Sequence, residues 1–343
     1  MIRTIVAPID GSAHAQSALD LSIDFAARYD AQLVLLHIGD RSGNAPEELY
    51  EAASRELEAA EGSGQATGLK PQQSRHLQTL EYMGRMLLRG AQERAKGQGV
   101  KRVETVFDVG DASERILHYA KERSADLIVM GSRGLGELQG LVLGSVSHRV
   151  FHLAPCSCVT VNRRDSRSSL EGIKSILVPT DGSDQADKAV DLASEIAGRY
   201  GAKLTLLYAM WRGPSLEQLR ASIDMDQLSE SARDELDPAQ HPIAEHISSS
   251  LIAPVVSRDT LKEIGELVLA RGRQTAEAKG VRNPKLLLRD GDPARMIVNI
   301  AKREHADLIA MGSRGLRGGE RILAGSVSYK VNHTAACSCM IVR

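Results

Sequence analysis

The sequence predicts an α/β protein of two tandem doubly wound, Rossmann-like domains, each a five-stranded parallel sheet flanked by helices. Three observations carry this. First, the chain repeats itself: Thr4-Ile-Val-Ala-Pro-Ile-Asp-Gly-Ser12 returns as Ser175-Ile-Leu-Val-Pro-Thr-Asp-Gly-Ser183, and Ala125-Asp-Leu-Ile-Val-Met-Gly-Ser-Arg-Gly134 returns as Ala306-Asp-Leu-Ile-Ala-Met-Gly-Ser-Arg-Gly315. Second, the apolar runs in each copy are short and continuous rather than alternating, the pattern of parallel strands covered on both faces. Third, these runs alternate with helical stretches, a β-α-β order whose crossovers are right-handed.

In the first copy the apolar runs place strands at Thr4–Ala7, Gln32–His37, Arg102–Phe107, Leu127–Met130 and Cys158–Val161. In the second they fall at Ser175–Val178, Lys203–Tyr208, Lys285–Leu288, Leu308–Met311 and Cys339–Val342. Helices are expected after each first strand, over Ala15–Tyr29 and Gln185–Tyr200, and before each fourth, over Ser113–Arg123 and Pro293–Glu304. The stretches Gly39–Lys101 and Ala209–Lys285 exceed a simple crossover. There Leu77, Leu80, Met83, Leu87 and Ala91 share one helical face, as do Leu261, Ile264 and Val268. Such stripes read first as helices covering the sheet, and second as a surface for a partner. The copies end alike, in Ala154-Pro-Cys-Ser-Cys158 and Ala335-Ala-Cys-Ser-Cys339. The domains are therefore 1–162 and 173–343, joined by a polar, serine-rich linker over 163–172.

Length and composition agree with this plan. At 343 residues the chain can bury two real cores. Its 43 basic and 44 acidic residues nearly cancel, so no net field draws it to nucleic acid or an anionic membrane. Aromatic residues at 3% leave little for stacking single-stranded bases. The first apolar run, Ile2–Ile9, contains Arg3 and meets Asp10, too short for a signal core or a membrane span. Four cysteines in two Cys-x-Cys pairs are too few for a disulfide scaffold, and a reducing cytoplasm is the expected compartment.

One pattern points to chemistry. Gly131-Ser-Arg-Gly134 is followed after nine residues by Gly144-Ser145, and Gly312-Ser-Arg-Gly315 after nine by Gly325-Ser326. Glycine lets backbone N–H groups approach an anion with no Cβ in the way. Ser145 and Ser326 are expected to cap the helices that follow, whose N-termini carry free donors and partial positive charge. Strand order reverses where these loops and the two Asp-Gly-Ser turns fall, the usual ligand crevice of an open parallel sheet. The duplicated pattern implies nucleotide binding.

At these residues the chain resembles a tandem of universal stress protein domains, covering nearly its whole length. The Gly-x2-Gly-x9-Gly-Ser signature fits both copies without a gap, and Gly110-Asp111 and Gly291-Asp292 resemble the family as well. The resemblance implies a five-stranded α/β fold and ATP binding, with ADP, AMP or a cyclic nucleotide fitting the same cradle. It implies that Asp10 and Asp181 sit beside the adenosine, that Pro8 and Pro179 shape that loop, and that Ile38 and Ala209 approach adenine through their backbones. It puts Met130, Gly131, Arg133 and Gly134 along ribose and phosphates, with Gly144, Ser145, Val146 and Ser147 opposite. In the second half the counterparts are Met311, Gly312, Arg314, Gly315, Gly325, Ser326, Val327 and Ser328. A Mg²⁺ ion would be held mainly by phosphate oxygens and water.

Several residues keep a second reading. Asp10 and Asp181 suit an N-cap or an Asx-turn as well as a ligand contact. Arg133 and Arg314 are either phosphate ligands or solvated loop arginines. His152 with Cys156 and Cys158, and His333 with Cys337 and Cys339, have donors for zinc, yet free cysteine is more often buried packing. No lysine continues the glycine loops as in a P-loop, and no Gly-x-Ser-x-Gly elbow occurs, so catalysis has no sequence support. Slow ATP hydrolysis or autophosphorylation at Ser145 or Ser326 stays open. The expected function is that of an ATP-binding stress-response regulator acting through an unidentified protein partner or a homodimer. The alternatives are a nucleotide-free, chaperone-like interaction protein and a slow ATP-hydrolysing enzyme.

Overall fold

The computed structural model describes residues 1–39, 47–62, 74–134, 144–162, 172–211, 214–237, 256–315 and 325–343. The chain divides into two compact units, Met1–Gly172 and Ile173–Arg343. Residues 163–171 of the expected linker lie outside the described residues.

In unit 1 the elements run β1 (Thr4–Pro8), α1 (Ala13–Tyr29), β2 (Gln32–Gly39), α2 (Glu47–Gly62), α3 (Arg75–Gly97), β3 (Arg102–Val109), α4 (Ala112–Glu122), β4 (Leu127–Gly131), α5 (Ser145–Leu153) and β5 (Ser157–Val161). Its five strands are parallel in the order β3-β2-β1-β4-β5. Unit 2 contains β6 (Ser175–Pro179), α6 (Asp184–Tyr200), β7 (Lys203–Met210), α7 (Leu216–Ala221), a 3-10 turn at Met225–Gln227, α8 (Glu230–Glu235), α9 (Arg258–Ala278), β8 (Lys285–Asp290), α10 (Pro293–Arg303), β9 (Leu308–Gly312), α11 (Ser326–Thr334) and β10 (Ser338–Val342). Its order is β8-β7-β6-β9-β10, again all parallel. The first strand of each unit is therefore flanked by the second and the fourth, which makes the switch point.

Local chemistry explains the elements. β4, β5 and β10 are buried at every residue, as parallel strands covered on both faces are. The repeated Ala-Asp ahead of the fourth strand is a fastener. Asp126 Oδ2 accepts from the Arg3 and Thr4 amides at 2.8 and 3.0 Å, and Asp307 Oδ2 from Lys174 and Ser175 at 2.7 and 2.8 Å. Asp111 and Asp292 cap α4 and α10, accepting from Glu114 N and Arg295 N at 2.8 and 3.0 Å. Helix α1 ends on Asp30 and α6 on Gly201, both left-handed. Around β9 and β10, Leu177, Leu207, Ile297, Ile309, Met311, Val331 and Cys339 form one apolar cluster. No helix among the described residues is long and apolar enough to cross a membrane.

The face of α3 differs from expectation. Its buried residues are Thr79, Leu80, Gly84, Leu88, Ala91 and Ala95, whereas Leu77, Met83 and Leu87 are only partly buried. Gly84 sets this rotation: a Cβ there would run into the rings of Phe107 and His37. On α9 the expected Leu261, Ile264 and Val268 are all buried.

Candidate functional site

The crevice of unit 1 is built by two loops meeting over the switch point. β1 ends at Pro8, and the Ile9 amide donates to Leu36 O at 2.8 Å, tying the loop to β2. Asp10 Oδ1 then accepts from the Ser12 amide at 2.9 Å, an Asx-turn closed by Gly11 at φ +85°. Ser12, not Asp10, caps α1, accepting from Ala15 N at 3.1 Å. The second loop leaves β4 at Gly131, and its Ser132 amide donates to Val161 O at 3.0 Å. Ser12 Oγ reaches Arg133 O at 3.4 Å, and a Cβ at Gly134 would lie 2.7 Å from Asp10 Oδ2. The structure thus brings Asp10 and the Gly131–Gly134 loop together.

The third side is the start of α5. The Gly144 amide donates to Ser132 O at 2.8 Å, and Ser147 Oγ to the same oxygen at 2.7 Å. The helix N-cap is Gly144, in extended conformation and without a side-chain cap bond, so the expected cap role of Ser145 does not hold. Ser145 is the first helical residue and exposed, while Ser147 is buried and turns back to Gly144 O at 2.9 Å. The amides of Ser145, Val146 and Ser147 occupy the first turn, where no intrahelical acceptor exists. The nine residues between Gly134 and Gly144 lie outside the described residues.

Unit 2 repeats the construction. Asp181 Oδ1 accepts from the Ser183 amide at 3.1 Å and its hydroxyl at 2.6 Å, with Gly182 at φ +81°. Ser183 caps α6. A Cβ on Gly315 would collide with Asp181 Oδ2. The Gly325 amide donates to Ser313 O at 2.8 Å and Ser328 Oγ to Gly325 O at 2.9 Å. Gly325 is the N-cap of α11, so Ser326, like Ser145, is not a cap. Residues 316–324 lie outside the described residues.

The glycines of the pattern divide into two kinds. At Gly131 a Cβ would sit 2.8 Å from Ala15 N and His14 C, and at Gly312 it would sit 2.7 Å from Gln185 C and O. These two let the first helix of each unit cross its fourth strand. At Gly144 and Gly325 a Cβ would meet neighbours no closer than 3.5 and 3.6 Å, at φ −76° and −62°. Among the described residues, protein packing does not demand glycine there.

The other expected residues frame the crevice from below or beside. Met130 and Met311 are buried, Met311 within the apolar cluster of its unit, so they contribute backbone at the strand ends. Val327 packs against that same cluster, and Val146 is partly buried. Pro8, Pro179, Arg133 and Arg314 are partly buried. Ile38 and Ala209 lie in the outer part of β2 and β7, paired with Asp108 and Arg289. The sequence reading overlooked Ser12, Ser132, Ser183 and Ser313, although two of these follow the recurring Asp-Gly directly. It also overlooked His37, whose Nδ1 lies 2.7 Å from Ile9 O and whose pKa burial lowers. At the matching place Tyr208 is buried and its phenol pushed up by desolvation. Cys158, Cys337 and Cys339 are buried, and burial raises the Cys339 thiol well above its ordinary value. Among the described residues, no group of three or more His, Cys, Asp or Glu is arranged to hold a metal ion.

Fold and crevice together define a duplicated α/β protein of the doubly wound class, with glycine-bearing loops meeting at each switch point. Residues 1–162 and 172–343 each match the model of the universal stress protein family. The chain belongs to that family, as a tandem of two of its domains. It is 31% identical over 165 residues to universal stress protein YxiE of Bacillus subtilis, spanning 47% of this chain and 99% of that protein. It is 32% identical over 170 residues to universal stress protein MJ0531 of Methanocaldococcus jannaschii, spanning 50% of this chain and 82% of that one. In fold it is similar to a universal stress protein from Archaeoglobus fulgidus, with a TM-score of 0.61 at 17% identity over 99% of this chain and 96% of the other.

Proposed function

We propose that each unit binds an adenine nucleotide, ATP with Mg²⁺, and that the protein acts in the cytoplasm as a nucleotide-dependent regulator through protein contacts. The observation that carries this reading is the pair Gly144 and Gly325. Each is a glycine that its described neighbours do not require, as the N-cap of a helix whose first amides have no intrahelical acceptor. An anion at that position meets free donors and the positive end of the helix dipole. Arg133 and Arg314 add cations on the facing loop, and Asp10 and Asp181 offer acceptors for a ribose hydroxyl. Mg²⁺ would take its ligands from phosphate oxygens and water. Binding changes a conformational equilibrium only if the two states hold the nucleotide differently, so regulation requires a partner that senses the occupied crevice.

The test is to denature freshly purified protein and quantify the nucleotide released, beside Gly144→Ala/Gly325→Ala, and to measure melting with added MgATP. We expect nucleotide from the wild type, loss from the double variant, and a rise in Tm with MgATP, since ligand at about 100 times its Kd adds about 2.7 kcal/mol. No released nucleotide and no MgATP-dependent shift would overturn the reading in favour of a nucleotide-free interaction protein.

A further inference from the structure

In both units the crevice aspartate sits on a turn that is held at a neighbouring residue, and the two units hold it by different atoms. In unit 1 the tied residue is Ile9, just before Asp10. Its amide donates to Leu36 O at 2.8 Å, and its carbonyl oxygen lies 2.7 Å from His37 Nδ1. A carbonyl only accepts, so Nδ1 carries the proton and the imidazole is the donor. The ring is held in its turn: it stacks on Phe107, with centroids 6.0 Å apart, and α3 closes over both at Gly84. Ile9 is buried, so removing this donor leaves a carbonyl shielded from water.

In unit 2 the tied residue is Gly182, just after Asp181. Its amide donates to Thr180 Oγ1 at 3.3 Å, and its carbonyl accepts from Arg271 Nη2 at 2.9 Å. The same nitrogen donates to Asp187 Oδ1 at 3.2 Å, which ties α9 to the first turn of α6. Each anchor belongs to one unit. At the places of Thr180 and Arg271 unit 1 has Ile9 and Gly90, whose side chains neither donate nor accept. At the place of His37 unit 2 has Tyr208, packed against Gly265 of α9, and among the described residues its phenol makes no hydrogen bond to Thr180 O.

We propose that His37 and Arg271 are positioning residues of the two crevices, each fixing the backbone beside the aspartate of its own unit so that the carboxylate is in place before a nucleotide arrives. This rests on the nucleotide reading given above. In both units the carboxylate faces the glycine loop, since a Cβ on Gly134 or Gly315 would run into Asp10 Oδ2 or Asp181 Oδ2. The Asx-turn bonds to the Ser12 and Ser183 amides fix each carboxylate within its turn. They do not fix the turn to the rest of the unit. His37 does that from β2 and Arg271 from α9. A group ordered beforehand adds no ordering cost on binding. Because the anchors differ, a substitution of one leaves the other crevice untouched.

The test follows the Ser12 and Ser183 amides of the full chain by NMR, through hydrogen exchange after nucleotide is removed and through shifts on titration with MgATP. His37→Leu and His37→Asn are close in shape and both remove the ring, but asparagine keeps a donor at the δ position. Arg271→Met and Arg271→Lys both keep the aliphatic stem, and lysine keeps a donor. Both bonds of Arg271 leave from one nitrogen, so a single ammonium can make them. We expect His37→Leu to speed exchange at Ser12 and to weaken MgATP binding there, each roughly tenfold, as an unpartnered buried acceptor implies. His37→Asn should recover most of both, and Ser183 should respond to neither. Arg271→Met should act in the same way on Ser183 alone, with recovery in Arg271→Lys. Equal behaviour of His37→Leu and His37→Asn, or of Arg271→Met and Arg271→Lys, would overturn the proposal, because lost packing alone would then be at work. Wild-type MgATP affinity in His37→Leu and Arg271→Met would overturn it as well. If MgATP shifts neither amide in the wild type, the nucleotide reading itself fails, and with it any part of the anchors in binding.

Discussion

At Gly131 a methyl group would lie 2.8 Å from the Ala15 amide nitrogen, against backbone that cannot swing away. At Gly144 the same methyl would rest 3.5 Å from Arg133 Cα, an ordinary contact. Two glycines of one motif therefore answer to different constraints. Gly131→Ala is expected to lower stability by about 1–3 kcal/mol, the range for an overpacked core site. Gly144→Ala should stay within about 0.5 kcal/mol, as a substitution away from packed features does. Denaturant melts of the two variants check this, and equal losses would contradict it. The reading of the glycine pattern as a cradle was legible from spacing alone. That Gly131 and Gly312 serve helix packing was not, because their contacts come from residues more than 100 positions away.

At the scale of elements, β2 and α3 show how a side chain and a helix face define each other. Gly84 lets α3 approach β2 and β3 over the stacked rings of His37 and Phe107, whose centroids are 6.0 Å apart. Burial holds His37 below its ordinary pKa of 6.5. The sign follows directly: as pH falls through 6.5 the unfolded chain takes up a proton that the folded imidazole refuses. The stability tied to His37 is thus complete above pH 6.5 and is lost progressively below it. NMR titration of the imidazole should find it neutral in the folded protein at pH 6.5, and His37→Gln should flatten the fall in stability between neutral and mildly acid pH. A folded-state pKa at or above 6.5 would refute this. Strand and helix existence was readable here from periodicity, but the rotation of α3 was not. The apolar stripe suggested Leu77, Met83 and Leu87, and a glycine, invisible to a hydrophobic count, selected the neighbouring face.

At the scale of the whole molecule, one plan is executed twice with separate outcomes. Both units keep the Asx-turn, the serine cap and the glycine N-cap at the switch point. The two crevices should therefore bind independently. Gly144→Ala alone is expected to leave about half of the nucleotide that wild-type protein releases, and Gly325→Ala alone the other half, as additivity of independent sites implies. Complete loss in either single variant would show that the crevices do not act separately. Beside these shared features the units diverge: Arg271 bonds Gly182 O and Asp187 in one, where the other has Gly90 and Gln16.

The sequence by itself determined the fold class, the two-fold repeat, the family and the loops that converge on each crevice. These follow from local apolar runs, turn residues and a short motif, all of which act over a few residues. Only the tertiary structure decided which serines cap, which glycines are packing necessities and which face of α3 is core. Those outcomes depend on whether atoms far apart in the chain come within about 3–4 Å, where repulsion and dispersion change steeply with distance.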